Sequence, residues 1–421
     1  MEKLSTKSQL IDYLLKSDNF KASPQVVGET IHRLEITPTY PIILVGGTNG
    51  KGSTCAYLTT ILTLAGYRVG TFTSPHVFDY NERIAINNTP IDDSQLTAAL
   101  QQVVASSATN LGIFKAFTLA SHLIFRAQKI DIAIYEVGLG GLKDTTNFFE
   151  PTIAAITGVA LDHRQQLGNT IEEIGLQKAG IFRQGKPAFF GSLELPASVS
   201  AYAAQINALF YRRGVDFDFR RQQNGWDFIS PRGNLYSLPF PALRGHEQLA
   251  NAALAVAILG ELKPQFPTNI SQIKQGLLAV KLFGRFQVLP GVPQIVLDTA
   301  HNPQAVDIML QNMLQLPFAK TEFALFAIAA DKDWREIVHR CKDRFTYWCL
   351  APLDSERSCD PQLISQQLQN YGIAAQNIFI YEQINQAFHQ TYSKLQPDDR
   401  MVCFGSFLMV EAVYRAYSEV K

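Results

Sequence analysis

A short apolar run, Pro41-Ile-Ile-Leu-Val45, leads into Gly47-Thr-Asn-Gly-Lys-Gly-Ser-Thr54, and a helical pattern follows over residues 54–65. That order suits a phosphate cradle. Glycines let several backbone N–H groups converge on one anion, and the helix N-terminus adds the positive end of its dipole. Lys51 supplies a point charge for the outer phosphates, and the hydroxyl of Ser53 or Thr54 can meet Mg²⁺. The spacing departs from the standard P-loop, because Gly52 follows Lys51 where that motif has Ser or Thr. A glycine-rich surface turn would need neither the lysine nor the paired hydroxyls, so phosphate binding is the better reading.

Ligands of open α/β sheets gather beyond the carboxyl ends of the strands. Three polar residues follow strand-like segments there: Ser74 in Thr73-Ser-Pro-His76, Glu136 in Glu136-Val-Gly-Leu-Gly-Gly141, and His163 after Asp162. A hydroxyl, a carboxylate and an imidazole near Lys51 suggest a magnesium site, although imidazole is an unusual ligand for that ion. Taken singly, each has a plain structural role as a cap serine, an ion-paired glutamate or a core histidine; only their shared placement points to a site. Lys178 stands among small and apolar residues, where burial would open it to modification or Schiff-base chemistry; a snorkelling helix lysine is the plain alternative. In Leu297-Asp-Thr-Ala-His-Asn-Pro303, Asp298 and His301 sit at a strand-to-helix turn that Asn302 and Pro303 could simply cap. Arg285 could reach the phosphates, and Asp331-Lys-Asp333 is either a charged turn or part of a site.

The elements that must position these residues alternate between strand and helix along most of the chain, which argues for parallel sheets with helical crossovers. Strands are expected at 42–45, 68–72, 130–137 and 152–157, then an antiparallel excursion within 195–245 and a long helix over 248–262. A second α/β series has strands near 294–298, 323–329, 347–351, 377–381 and 401–404. With 421 residues, two domains are expected. The first spans 1–285 and the second 294–421, joined by a linker at 286–293 within Gly284-Arg-Phe-Gln-Val-Leu-Pro-Gly-Val-Pro293. Lys plus Arg and Asp plus Glu are balanced at 37 each, so nothing points to nucleic acid or an anionic membrane. No run reaches transmembrane length, and Met1-Glu-Lys-Leu-Ser5 lacks the apolar stretch of a signal peptide, so a cytoplasmic protein is expected. The five scattered cysteines read as reduced thiols, Cys55 among them as packing.

These motifs, in this order from about residue 40 onward, resemble the folylpolyglutamate synthase and dihydrofolate synthase family, relatives of the muramyl peptide ligases. The likeness rests on Gly47–Thr54, Ser74-Pro-His76 with Glu82-Arg83, Glu136–Gly141, Leu161-Asp-His163 and Lys178-Ala-Gly180. It continues through His246–Asn251, Gly284-Arg-Phe286, Asp298–Pro303, Asp331–Asp333 and Gly405-Ser406. The resemblance implies a P-loop-type, mostly parallel ATPase domain followed by a smaller Rossmann-like α/β domain. It implies that Gly47, Thr48, Asn49, Gly50, Lys51, Gly52, Ser53 and Thr54 hold ATP together with Asn251, Arg285 and Asp298. Ser74, Glu136 and His163 would ligate magnesium, with two ions expected, and Lys178 would be carbamylated. Lys51, Lys178 and His301 would be catalytic. The implied reaction is ATP-dependent joining of L-glutamate to dihydropteroate or a folate through an acyl phosphate, by a monomer with small-molecule substrates only.

Four places depart from the family pattern: Lys21-Ala-Ser-Pro-Gln25, Phe114-Lys115, Leu142 in Gly140-Gly-Leu-Lys-Asp144, and Gln165. In the family these regions surround the pterin and the acceptor carboxylate, so Phe114, Lys115 and Asp144 are the expected substrate-pocket residues. Lys115 in place of a carboxylate inverts the local charge. Two other readings therefore stand beside the first: a ligase of the same mechanism acting on a different aryl or pterin-like acid, and a non-catalytic ATP-binding module. The intact phosphate, metal and lysine set argues against the module.

Overall fold

The computed structural model describes residues 4–16 and 22–420, so Met1–Lys3 of the expected N-terminus and Lys21 of the Lys21–Gln25 segment lie outside the described residues. The chain divides into two compact units. One comprises Met1–Ala160, Arg164–Ala242 and Leu249–Val280; the other comprises Leu161–His163, Leu243–Gln248 and Lys281–Lys421.

The first unit is built on an eight-stranded sheet. Its strands are β1 (Ile42–Gly46), β2 (Val69–Phe72), β3 (Ile84–Ile86), β4 (Thr89–Pro90), β5 (Ile132–Glu136), β6 (Ile153–Ile156), β7 (Pro187–Phe190) and β8 (Leu209–Arg212), in the order β4-β3-β2-β5-β1-β6-β7-β8. In the run β2-β5-β1-β6-β7-β8 the pairing is parallel, while β3 pairs antiparallel with both β2 and β4 at the edge. Both faces carry helices, which is why β1 and β5 read as unbroken apolar runs and are buried at every position. β1 lies between β5 and β6, so strand order switches direction on either side of it; the loop after β1 opens at the switch point. The antiparallel excursion is a three-stranded sheet of β9 (Asp218–Gln222), β10 (Gly225–Ile229) and β11 (Leu235–Leu238), packed through the fully buried Trp226.

The second unit holds β12 (Gln287–Val288), β13 (Gln294–Asp298), β14 (Glu322–Phe326), β15 (Tyr347–Leu350), β16 (Ile378–Ile380) and β17 (Arg400–Phe404), in the order β12-β13-β17-β14-β15-β16. Alternate residues feed two cores on opposite faces. Val402 and Phe404 of β17 join Ala324 and Phe326 of β14 on one side, while Met401 and Cys403 join Phe323 and Leu325 on the other.

Two boundaries differ from the sequence reading. The expected linker at 286–293 carries an edge strand, β12, paired antiparallel with β13, and Phe286 and Leu289 are buried in the second unit's cores. Its prolines and glycines mark the turn of this β-ribbon. The helix after the glycine loop begins at Lys51, three residues early, because Gly50 caps it in a left-handed conformation. All five cysteines are unpaired and buried, and among the described residues no helix is long and apolar enough to cross a membrane.

Candidate functional site

The loop after β1 is held in shape from several sides. Thr48 N–H donates to Gly158 O (2.9 Å), and Thr48 Oγ1 donates to Ala160 O (3.2 Å) while accepting from Ala160 N–H (3.0 Å). Thr157 Oγ1 donates to Asn49 O at 2.5 Å. Lys178, only 4% exposed, donates from Nζ to Gly47 O (2.9 Å), and Lys51 Nζ donates to Thr48 O (3.1 Å). Two glycines are obligatory here. At Gly47 (φ +140°) a Cβ would lie 1.9 Å from Thr157 Oγ1, and at Gly50 (φ +86°) it would lie 2.4 Å from Asn251 Oδ1.

The Lys51–Leu64 helix has no side-chain cap, so the first-turn N–H groups that a cap would normally satisfy are offered to an external acceptor. Thr54 Oγ1 is buried with no hydrogen-bond partner. A bare N-terminus, a lysine and an orphaned hydroxyl fit a triphosphate and its metal ion.

At the ends of β2 and β5, Ser74 N–H donates to Glu136 Oε2 (3.2 Å), which brings two of the expected metal ligands together. The third, His163, groups with the second unit. Beside Ser74, Arg83 is 9% exposed, donates from Nε to His76 Nδ1 (3.0 Å), and lies over the rings of Tyr80 (5.6 Å) and Phe117 (5.7 Å). Burial, and then the charge of Arg83, hold the His76 imidazole neutral down to about pH 4. Glu82 accepts three backbone N–H groups, from Val77, Phe78 and Asp79, and so shapes the turn.

Of the expected pocket residues, Phe114 packs its ring against Gly138, where a Cβ would come within 2.5 Å, and lies edge-on to Phe72. Asp144 is turned inward. It accepts from Gly138 N–H (3.1 Å), Leu139 N–H (2.9 Å), Thr146 N–H (2.9 Å) and the Thr146 hydroxyl (2.7 Å), and burial raises its carboxyl above the usual range. Asp144 therefore organises the Gly138–Asp144 turn.

The second unit contains its own polar cluster. Lys332 Nζ donates to Asp162 Oδ1 (2.9 Å) and lies 3.2 Å from His163 Nε2; Asp162 Oδ2 also faces Asn302 Nδ2 (3.4 Å) and His301 Nε2 (3.8 Å). The Asp162 and Lys332 side chains are 11% and 10% exposed. Burial works against ionised Asp162, yet Lys332, His163 and His301 hold its carboxyl well below the usual range. His163 adopts a left-handed backbone (φ +51°), a conformation that a non-glycine residue keeps only where its surroundings impose it. His301 sets its ring with Nδ1 on Thr299 O (2.8 Å), and burial, then Lys332, push it down to about 4. Asp298 accepts from Phe286 N–H (3.1 Å) and Ala300 N–H (2.8 Å). Its carboxyl rises to about 7 because burial outweighs the nearby Arg285. Arg285 hydrogen-bonds Thr299 Oγ1 and lies 5.0 Å above the Phe407 ring.

Sequence reasoning missed Thr157, the Arg83 environment and the Asp162–Lys332 pair. For the Asp162–Lys332 pair each half carried a signal, since both Asp162-His163 and Asp331-Lys-Asp333 follow strands; their pairing across 170 residues had none.

Two family models match the chain: the Mur ligase middle domain over residues 45–259, and the Mur ligase glutamate ligase domain over residues 284–407. The dihydrofolate synthase/folylpolyglutamate synthase of Escherichia coli (strain K12) is 33% identical over 383 residues, covering 90% of this chain and 88% of that protein. Among solved structures, E. coli FolC in complex with DHPP and ADP superposes with a TM-score of 0.92 at 31% identity, covering 100% of this chain and 99% of that one. The bifunctional folylpolyglutamate synthase/dihydrofolate synthase of Yersinia pestis, complexed with AMPPNP and Mn ion, gives a TM-score of 0.90 at 34% identity, with 99% of each chain covered.

Proposed function

The chain belongs to the dihydrofolate synthase/folylpolyglutamate synthase family of Mur-type ligases, and on that footing we propose that it joins L-glutamate to dihydropteroate, folates or both at the expense of ATP. The observation that carries the reading is the pinned Gly47–Thr54 loop, which presents Lys51, an uncapped helix N-terminus and the unpartnered Thr54 hydroxyl together.

One oxygen of the acceptor carboxylate attacks the γ-phosphorus of ATP, ADP leaves, and an acyl phosphate forms. The glutamate amine then attacks the acyl carbon, phosphate leaves, and the amide results. The loop N–H groups and Lys51 balance charge on the phosphate oxygens, as phosphoryl transfer requires. Lys178 fixes the loop through Gly47 O and, if carbamylated, would offer a carboxylate for metal. Glu136, Ser74 and His163 would hold magnesium, and Thr54 has the free oxygen to join them. Bound magnesium would neutralise phosphate charge and so ease attack by an anionic carboxylate. Asn251, Arg285 and Asp298 would contact the nucleotide, and His301 would take part in catalysis. The energy source and the chemistry follow from these groups, and the acid follows from the family.

The test is substrate dependence. Purified protein should turn over ATP only when glutamate is present together with dihydropteroate or a folate, and Lys51→Ala should abolish that turnover. Turnover with another aryl acid but none with dihydropteroate or a folate would replace the folate reading, and unchanged activity in Lys51→Ala would remove the loop from the mechanism.

A further inference from the structure

Among the described residues, Arg83 has no carboxylate paired with its charge. An arginine this deeply buried is almost always paired, yet among the described residues no carboxylate forms an ion pair with it. Of its five N–H donors only Nε–H is committed, to His76 Nδ1 at 3.0 Å. Among the described residues, the two terminal nitrogens meet no acceptor. Tyr80 and Phe117 lie under the guanidinium at 5.6 and 5.7 Å, and the Tyr80 ring lies against His76 at 4.1 Å, so its plane is fixed before anything binds. A planar, preset fork with unused parallel donors is the natural mate of a carboxylate.

The location is equally specific. Arg83 immediately precedes β3, and its carbonyl accepts from Thr73 N–H (2.9 Å). The next residue, Ser74, donates to Glu136. The unpaired fork therefore stands beside the strand ends that carry the proposed metal ligands. Glu136 does not pair with it: its carboxylate takes the Ser74 N–H and stabilises the Arg83 charge only from a distance. Asp144, the pocket residue named from the family pattern, is already satisfied by four donors and is an acceptor, so it cannot bind an anion.

We propose that Arg83 binds the carboxylate of the acid substrate, with His76 and Tyr80 as the positioning residues that hold its guanidinium in register. The assignment rests on the ligase reading above, in that it takes a carboxylic acid to be the acceptor. It makes Arg83 a determinant of acid affinity and leaves nucleotide binding to the glycine loop.

The experiment compares wild type with Arg83→Met and Arg83→Lys. Losing a charge-assisted, two-point contact should raise KM for dihydropteroate by about 10- to 100-fold, with KM for ATP changed by less than about threefold. Arg83→Lys, which keeps the charge and loses the fork, should fall between them. Equilibrium dialysis of pteroate against the same three proteins gives a readout that needs no turnover. If wild type turns over neither dihydropteroate nor a folate, the folate assignment fails, while weaker pteroate binding by Arg83→Met would still uphold the Arg83 site. Equal pteroate binding by wild type and Arg83→Met overturns the proposal, as does absent binding by wild type. So does a variant whose KM values for acid and ATP rise together with a lowered melting temperature, because that is the signature of a structural arginine.

Discussion

Gly50→Ala is the most searching perturbation of the phosphate loop, because two separate costs act at one atom. The backbone at Gly50 has φ +86°, where an L-residue is disfavoured by roughly 1–2 kcal/mol. The added Cβ would also sit 2.4 Å from Asn251 Oδ1, and a contact under 3.0 Å forces something to shift. The loop cannot easily turn away as a unit, since Gly47, Thr48 and Asn49 are each tied to neighbouring elements. The backbone term alone corresponds to about 5- to 30-fold in a binding constant, and the displaced amide adds to it. AMPPNP affinity measured by titration calorimetry should therefore fall at least tenfold in Gly50→Ala. In an Asn251→Ala background the contact disappears and only the backbone term remains, so the double-variant cycle should show a coupling on the order of 1 kcal/mol. Wild-type affinity and an unchanged melting temperature in Gly50→Ala would refute the assignment of this loop to phosphate.

Two stability predictions concern the second unit. Lys332→Met leaves the Asp162 carboxylate buried without its main counter-charge, which should cost about 3 kcal/mol in urea unfolding, toward the low end for a broken buried pair because Asn302 and the two histidines remain. Asp162→Asn with Lys332→Met should recover most of the loss, and a Lys332→Met protein as stable as wild type would show the pair to be idle. For Asp298, the folded carboxyl holds its proton to about pH 7 while the unfolded chain releases it near 4. Between those values the unfolded state binds fewer protons, so this group removes stability as pH rises and adds no further change above about 7. The nucleotide-free melting temperature of Asp298→Asn relative to wild type should accordingly climb from pH 4 to pH 7; a gap that does not vary with pH would contradict the buried, raised carboxyl.

What could be read from the sequence was set by how local each signal is. Strand β1, the glycine loop and the helix after it lie within one stretch of chain, and each residue there has a local reason for its type. The apolar runs of β5, β6, β14 and β17 were equally plain, because strands covered on both faces need no polar alternation. The Lys51–Leu64 helix starts three residues before its sequence pattern, because apolar periodicity is silent about caps and Gly50 caps by its φ alone. Over 284–293 two prolines and two glycines suggest a break, while Phe286 and Leu289 carry the opposite message; their burial in the second unit's cores decides the matter. Partners separated by a hundred residues or more left no trace. Thr157 on Asn49, Lys178 on Gly47 and Asp162 on Lys332 exist only once the sheets have formed.

The distinction between satisfied and unsatisfied polar groups sorts the candidate residues more sharply than their types do. Among the described residues only five buried side-chain polar atoms lack a partner, and one of these, Thr54 Oγ1, lies in the phosphate loop. The terminal nitrogens of Arg83, unpaired on a residue that is nine-tenths buried, lie near the same sheet edge. Asp144 and Glu82 share the same motifs and the same neighbourhood, yet they accept four and three hydrogen bonds and have little capacity left to recognise a ligand. Folding leaves a buried donor unmatched only at a cost of about 1–3 kcal/mol. Thr63, His122, Arg344 and Trp348 hold the other four such atoms, so an orphaned atom counts toward a ligand only where other site features surround it, as at Thr54. On the proposals above, the phosphate would be met at Gly47–Thr54 and the acid at Arg83, while the Glu82 and Asp144 carboxylates hold backbone N–H groups of the neighbouring turns.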